Sequence, residues 1–160
     1  GRRYRFTFVD VGNPHCIIAV ADPATFDVAG VGAVIERHPF FPNRVNVEFI
    51  TAESDGSVRM RVWERGVGET QACGTGATAV GAASVRLGLA ASPVLVHLLG
   101  GDLTIEVEPE TSAAAGAGVS ADPGAGGYRV FMTGPAEKVF ECELSNELLG
   151  RLGWPNGSAC

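Results

Sequence analysis

A chain of 160 residues with 46% hydrophobic and 19% charged content can support one ordinary soluble domain with a real core. A net charge of −6 and no basic patch beyond Arg2-Arg3 argue against nucleic acid as a partner, and point to a small ligand. No apolar run is long enough to span a bilayer and no basic-then-apolar segment opens the chain, so a cytoplasmic setting with no membrane is expected.

The four cysteines, Cys16, Cys73, Cys142 and Cys160, show no C-x-x-C spacing, which disfavours a structural zinc site and a disulfide scaffold. Reduced thiols are the expectation. The chain opens Gly1-Arg2-Arg3-Tyr4 without a methionine and enters strand-like sequence almost at once. That reads as a piece of a longer chain, a processed product, or a start introduced for expression.

In chain order, 4–11 and 16–20 are apolar, β-prone runs separated by the tight-turn signature Gly12-Asn13-Pro14-His15. Mixed helical spacing over 27–37 predicts a short helix, ended by His38-Pro39. Residues 44–50 alternate cleanly, with Val45, Val47 and Phe49 on one face. Glu53-Ser54-Asp55-Gly56-Ser57 joins that strand to a second, 58–63, as a hairpin. The small, apolar run 77–87 reads as a buried helix terminated by Gly88.

A second hairpin is expected from 94–98 and 103–107 around Gly100-Gly101-Asp102. Residues 109–127, rich in Ala, Gly and Ser, read as a flexible loop. A last strand pair is expected at 128–132 and 138–144, followed by a short helix at 145–152 and an unstructured tail after Trp154-Pro155. The domain reading is one lobe over 1–144, with 145–160 a short helix and tail. The fold class is α+β, a curved and mostly antiparallel sheet or barrel wrapped around a central helix. The slender side chains of Ala77, Ala79, Gly81, Ala82 and Ala83 support this, because they let strands pack closely around the helix.

Gly68-Glu69-Thr70-Gln71-Ala72-Cys73-Gly74-Thr75-Gly76 is the stretch that carries chemistry. It places Cys73 between a strand and the start of the buried helix. Unpaired amides and the positive end of the dipole favour a thiolate there. The glycines let the backbone approach a bound group, and free N–H groups at such a turn suit a carboxylate or phosphate. The competing reading is an inert core cysteine, a common fate of free thiols. The polar Glu69-Thr70-Gln71 beside it argues against a core position.

Gly12-Asn13-Pro14-His15, Arg44-Val45-Asn46-Val47, and Trp63-Glu64-Arg65-Gly66-Val67-Gly68-Glu69-Thr70 running into Ala72-Cys73-Gly74-Thr75-Gly76 together resemble the diaminopimelate epimerase family. Met132-Thr133-Gly134-Pro135-Ala136 and Val139-Phe140-Glu141 resemble that family's closing strands. The likeness follows family order over nearly the whole chain and is to the second half of the enzyme. It implies a fold of two similar lobes, each a sheet or barrel around a central helix, with the active site between them. It also implies interconversion of LL- and meso-2,6-diaminopimelate, toward lysine and cell-wall precursors, without pyridoxal phosphate and without a metal.

The implied mechanism uses two opposed cysteines. One thiolate removes the α-proton and a thiol on the other face returns one, because a single base tends to give the proton back to the same side. Helix-terminal amides stabilise the charge that builds on the substrate carboxylate. On the resemblance, Cys73 is the second catalytic cysteine, and His15 and Glu64 adjust the pKa values of the thiols. Asn13, Asn46, Glu64 and Arg65 hold substrate polar groups, with Arg65 gripping the distal carboxylate in bidentate fashion. Gly74 and Thr75 hold the reacting carboxylate. Taken singly, His15 and Asn13 are ordinary turn residues, and Glu64-Arg65 an exposed ion pair. Asn46, a poor β-former within a Val-rich strand, is harder to dismiss. Cys16, Cys142 and Cys160 match no catalytic motif.

Cys73-Gly74 is the only Cys-Gly pair in the chain, so the family's other catalytic cysteine has no counterpart. The expected partners are therefore diaminopimelate and the N-terminal lobe, and the chain alone is expected to be inactive. Two other readings stay open. One is a same-fold racemase or epimerase of the proline or hydroxyproline type. The other is a stand-alone lobe that binds or self-associates as a homodimer through its exposed cleft face. Asn46 and Glu64-Arg65 favour the diaminopimelate reading, since they suit a substrate with a second polar end.

Overall fold

The computed structural model describes residues 2–109 and 127–153. The loop expected at 109–127, save its ends, and the tail after Trp154 lie outside the described residues, as does Cys160. The elements are β1 (Thr7–Asp10), β2 (Pro14–Ala19), α1 (Val28–Glu36), β3 (Asn46–Ala52), β4 (Val58–Glu64), β5 (Gly68–Thr70), α2 (Gly74–Arg86), β6 (Val94–Leu98), β7 (Gly101–Pro109), β8 (Tyr128–Thr133) and α3 (Asn146–Leu152). The strands form one curled sheet in the order β1-β2-β3-β4-β6-β7-β8, with β5 paired onto β4.

Both parallel pairings are bridged by a helix, which is what a parallel connection requires. β2 pairs β3 in parallel with α1 between them, and β4 pairs β6 in parallel with α2 between them. All other pairings are antiparallel, including the two hairpins read from the sequence.

The sheet buries both faces because its strands alternate between two apolar sets. Cys16, Ile18, Val45, Val47 and Phe49 pack with Val28 and Phe41 beneath α1. Ile17, Ile50, Met60, Val62, Val94, Val96, Ile105 and Val107 surround α2 on the other face. The small residues of α2 explain the tight wrap: a Cβ at Gly81 would stand 2.5 Å from Ile105 Cγ2. α2 stops where expected, with Leu87 as C-cap and Gly88 left-handed at φ 69°. Ser145 caps α3, its hydroxyl accepting from Leu148 N–H at 3.3 Å.

Two expectations about strands are corrected. Residues 68–70, read as part of a turn, form β5, because Gly68 and Thr70 pair with Glu64 and Val62 of β4. Residues 138–144 form no strand: among the described residues β8 pairs only with β7, and the segment is exposed throughout, Val139 at 87% and Phe140 at 76%. Its β-prone sequence finds no neighbouring edge among the described residues. No described helix is long and apolar enough to cross a membrane.

Candidate active site

Period-2 alternation builds the site. On β2, His15 shares a face with Ile17; on β3, Asn46 and Glu48 share a face with Ile50; on β4, Glu64 follows Met60 and Val62. All of these side chains therefore belong to the face covered by α2. The polar ones lie at the end where α2 begins, and His15 is the register partner of Asn46. The apolar ones continue along the helix.

Cys73 is the N-cap of α2, with extended backbone at φ −140° and ψ 106°. Its side chain is buried, and the Gly76 N–H donates to Sγ at 3.3 Å. Thr75 Oγ1 lies 3.6 Å from the same sulfur. Asn13 Nδ2 donates to Thr75 Oγ1 at 3.2 Å, Asn13 Oδ1 faces His15 Nε2 at 3.1 Å, and His15 Nδ1 meets Glu48 Oε1 at 2.5 Å. One continuous chain of contacts thus runs from a buried carboxylate to the thiol. Glycine at position 76 permits its close packing, since a Cβ there would lie 3.1 Å from Glu48 Oε1 and 3.2 Å from Cys73 Sγ.

Asn46 is buried, and both ends of its amide hydrogen-bond to backbone. Its Nδ2 donates to Pro14 O at 3.0 Å, and its Oδ1 accepts from Arg65 N–H at 2.9 Å. It fastens the turn that carries Arg65 to the entry of β2. Glu64 Oε1 accepts from Thr70 Oγ1 at 2.5 Å. The Arg65 guanidinium donates to Asn43 O at 3.2 Å beside an open groove that Asp10 and Pro14 also line. Gly74 is overlaid by Met132, whose Sδ would lie 3.2 Å from an added Cβ. An apolar concavity of about 480 Å³, lined by Tyr4, Phe6, Cys16, Val31 and Phe41, lies on the α1 side and away from the thiol.

The electrostatic balance differs from the expected one. Burial pushes the Cys73 thiol up, and the Glu64 and Glu48 carboxylates push the same way; the Thr75 hydroxyl and the Gly76 N–H only oppose this. The helix start holds the sulfur with donors, yet desolvation outweighs them. Burial likewise raises Glu48, against the pull of His15. The Cys16 thiol, buried behind the same sheet, is pushed up to about 12 by burial and then by Glu48.

The structure thus brings Cys73, Thr75, Asn13 and His15 into one hydrogen-bonded chain, and ties Asn46 to the backbone of Arg65. Two residues were missed in the sequence. Glu48 was legible as a carboxylate two positions from Asn46, on the same face of a strand whose residues 46–50 are all buried. Glu36 carried no such signal. It ends α1, is buried, and accepts from Trp63 Nε1 at 2.9 Å, Gly66 N–H at 2.9 Å and Arg44 Nη1 at 3.4 Å. It holds the β4–β5 turn from the opposite side of the sheet. No group of three or more residues able to hold a metal ion occurs among the described residues.

Comparison with known proteins identifies the family. Residues 7–139 match the family model described as diaminopimelate epimerase. The chain is 46% identical over 144 residues to the diaminopimelate epimerase of Leptospira biflexa serovar Patoc, covering 90% of this chain and 45% of that protein. It is 47% identical over 143 residues to the enzyme of Pelotomaculum thermopropionicum, covering 89% of this chain and 45% of the relative. The chain therefore spans about half the length of the curated relatives it matches. Among solved structures, it is similar in fold to a hydroxyproline epimerase from Agrobacterium vitis, with TM-score 0.55, 19% identity, and coverage of 82% of this chain and 44% of that one. It is similar also to a probable proline racemase from Agrobacterium radiobacter K84, with TM-score 0.54, 18% identity, and coverage of 85% and 47%. With a wrapped helix of small residues, a thiol at its N-cap and this extent of identity, the chain belongs to the diaminopimelate epimerase family.

Proposed function

We propose that this chain supplies one catalytic lobe of a cofactor-independent epimerase that interconverts LL- and meso-2,6-diaminopimelate in lysine and peptidoglycan precursor synthesis. Cys73 acts in it as one of two opposed proton-transfer thiols. The observation that carries this reading is the placement of Cys73 as the N-cap of the buried helix, hydrogen-bonded through Thr75 and Asn13 to His15.

In one direction the Cys73 thiolate takes the proton from the α-carbon. The electron pair of the broken C–H bond moves into the adjacent carboxylate, and a thiol of the partner lobe gives its proton to the opposite face of the carbon. The products are a Cys73 thiol, a partner thiolate and an inverted centre; the reverse direction exchanges the roles. The carboxylate that receives charge sits against the free N–H groups of Gly74 and Thr75, where the helix dipole favours it. The Arg65 guanidinium, on the turn fastened by Asn46, suits the distal carboxylate. The raised thiol fits a site closed by a second lobe, because substrate binding brings an α-ammonium next to a thiol that burial, and then Glu64 and Glu48, push up.

The same two-lobe arrangement places the substrate in a cleft that this chain only half encloses, in a cytoplasmic biosynthetic enzyme. The test is reconstitution. The chain is mixed with a family N-terminal lobe that carries the other cysteine, and α-deuterium exchange and inversion of diaminopimelate are followed in D2O. Turnover by the mixture that vanishes with Cys73→Ala, and none by the chain alone, is expected. Turnover that survives Cys73→Ala refutes the role of the thiol. Inversion of proline or hydroxyproline in place of diaminopimelate refutes the substrate.

A further inference from the structure

The residue that the mechanism leaves unused is Glu48. Its side chain is fully buried, Oε1 lies 2.5 Å from His15 Nδ1, and Oε2 has no hydrogen-bond partner. A buried carboxylate with one bare oxygen is costly as an anion.

The direction of the hydrogen bonds resolves this. Asn13 turns Nδ2 toward Thr75 Oγ1, so its Oδ1 is the atom presented to His15 Nε2. An amide oxygen only accepts, so with the Asn13 amide in this orientation His15 Nε2 carries a proton. His15 Nδ1 then either accepts from a carboxylic acid or, as imidazolium, donates to a carboxylate. In both cases one proton lies between Glu48 and His15, and the pair is electrically neutral. Thr75 Oγ1 accepts from Asn13 and keeps its own hydrogen to donate to a Cys73 thiolate, whose Sγ is 3.6 Å away and can then only accept.

We propose that Glu48 is a positioning residue: by sharing a proton with His15 it fixes a one-way hydrogen-bond chain, Glu48 to His15 to Asn13 to Thr75, that ends with a donor aimed at the Cys73 sulfur. The chain favours the thiolate in a place where burial disfavours it.

The ionisable groups that face the thiol are few. They are Glu48 from β3 and Glu64 from β4, with His15 from β2 reaching it through Asn13 and Thr75. Asp10 of β1 is occupied by Gly12 N–H, Glu69 of β5 by Arg61, and His97 of β6 by Asp102. β7 and β8 present Ile105, Val107 and Met132 toward α2 and leave Glu106, Glu108 and Arg129 exposed. On α2 itself the one basic residue is Arg86, in the last turn.

The proposal uses the thiol assigned to proton transfer above, but its test reads the thiol's titration and not turnover, so the two readings fail separately. In the full chain carrying Cys16→Ala, Cys142→Ser and Cys160→Ser, the rate of iodoacetamide alkylation is measured against pH, and it reports Cys73 as the one remaining thiol. Glu48→Gln can donate an amide N–H to His15 Nδ1 and keeps the direction of the chain. Its alkylation rate at pH 8 is expected within about twofold of the parent. Glu48→Met, similar in size but with no hydrogen to give, is expected to react about fivefold more slowly, the worth of one ordinary hydrogen bond. A simple negative charge beside a thiol predicts the opposite, that removing it speeds alkylation. Faster or unchanged reaction of folded Glu48→Met, or a fivefold loss in Glu48→Gln, overturns the proposal. Nitrogen-15 NMR of His15 in the parent decides independently of any variant. A proton on Nε2 at pH 7 is required, and a bare Nε2 overturns the proposal.

Discussion

Two buried carboxylates lie on opposite faces of the same sheet in unlike surroundings. Glu36 on the α1 side accepts from an indole, a backbone amide and a guanidinium, and these hold its carboxyl below the usual range, the Trp63 bond most of all. Glu48 on the α2 side has one partner and a bare oxygen, and burial raises it. A saturated anion such as Glu36 fixes backbone and does not change its state. An undersatisfied group such as Glu48 is kept close to exchanging a proton. One fold therefore separates a structural carboxylate from one suited to proton chemistry, by the number of donors each receives.

The comparison is tested most severely at the thiol. In the reconstituted two-lobe enzyme, Cys73→Ala is expected to lower kcat/KM by about 10³-fold or more, while the lost N-cap costs only about 1 kcal/mol of stability. A loss of less than tenfold would move the chemistry elsewhere. On the structural side, Glu36→Ala strands the Trp63 and Gly66 donors and is expected to destabilise the chain by about 3 kcal/mol, read by urea denaturation. A cost under about 0.5 kcal/mol would show that the turn holds itself.

Between the two lies Gly76→Ala, whose methyl would press on Glu48 Oε1 and Cys73 Sγ at 3.1 and 3.2 Å. Its stability cost is expected near 1 kcal/mol, with a disproportionate fall in kcat. Equal effects on kcat and on stability would deny that the packing matters to the chemistry.

The smallest effect is the most diagnostic, because the two carboxylates should give opposite pH slopes. Glu36 is lowered in the folded state, so its contribution is present above the unfolded pKa of about 4.3 and is lost as pH falls through its folded value. Glu48 is raised, so its contribution is present below about 4.3 and is lost as pH rises through its folded value. Thermal midpoints across pH should show Glu36→Gln removing loss on the acid side and Glu48→Gln removing loss on the alkaline side. Slopes of the same sign in both variants would remove the distinction.

The fold was largely legible where one physical rule dominates. The small residues of α2 announced a wrapped helix, and Val45, Val47 and Phe49 alternate as read, against α1. Gly88 ended the helix as its backbone freedom suggests. Cys73 was legible as a helix start because glycines and a strand flank it. Its titration was not, because burial depends on strands remote in sequence, and those supply Glu48 and Glu64 as well. Arg65 was legible as a residue but not as an orientation, since Asn46 and Asn43 fix its backbone and guanidinium from another strand and loop. Glu36 was beyond sequence reading altogether, because its three donors come from β4, from the turn after β4 and from the segment before β3.

The exposed segment 138–144 also governs how the lobe behaves as a colloid. A β-prone stretch with Val139 and Phe140 in solvent is a nucleus for intermolecular sheet growth at high concentration. The charges of Lys138, Glu141 and Glu143 sit within it as gatekeepers, with Lys138 paired to Glu141. Light scattering of concentrated samples should therefore rise with salt, which screens those charges, and fall when Phe140 is replaced by serine.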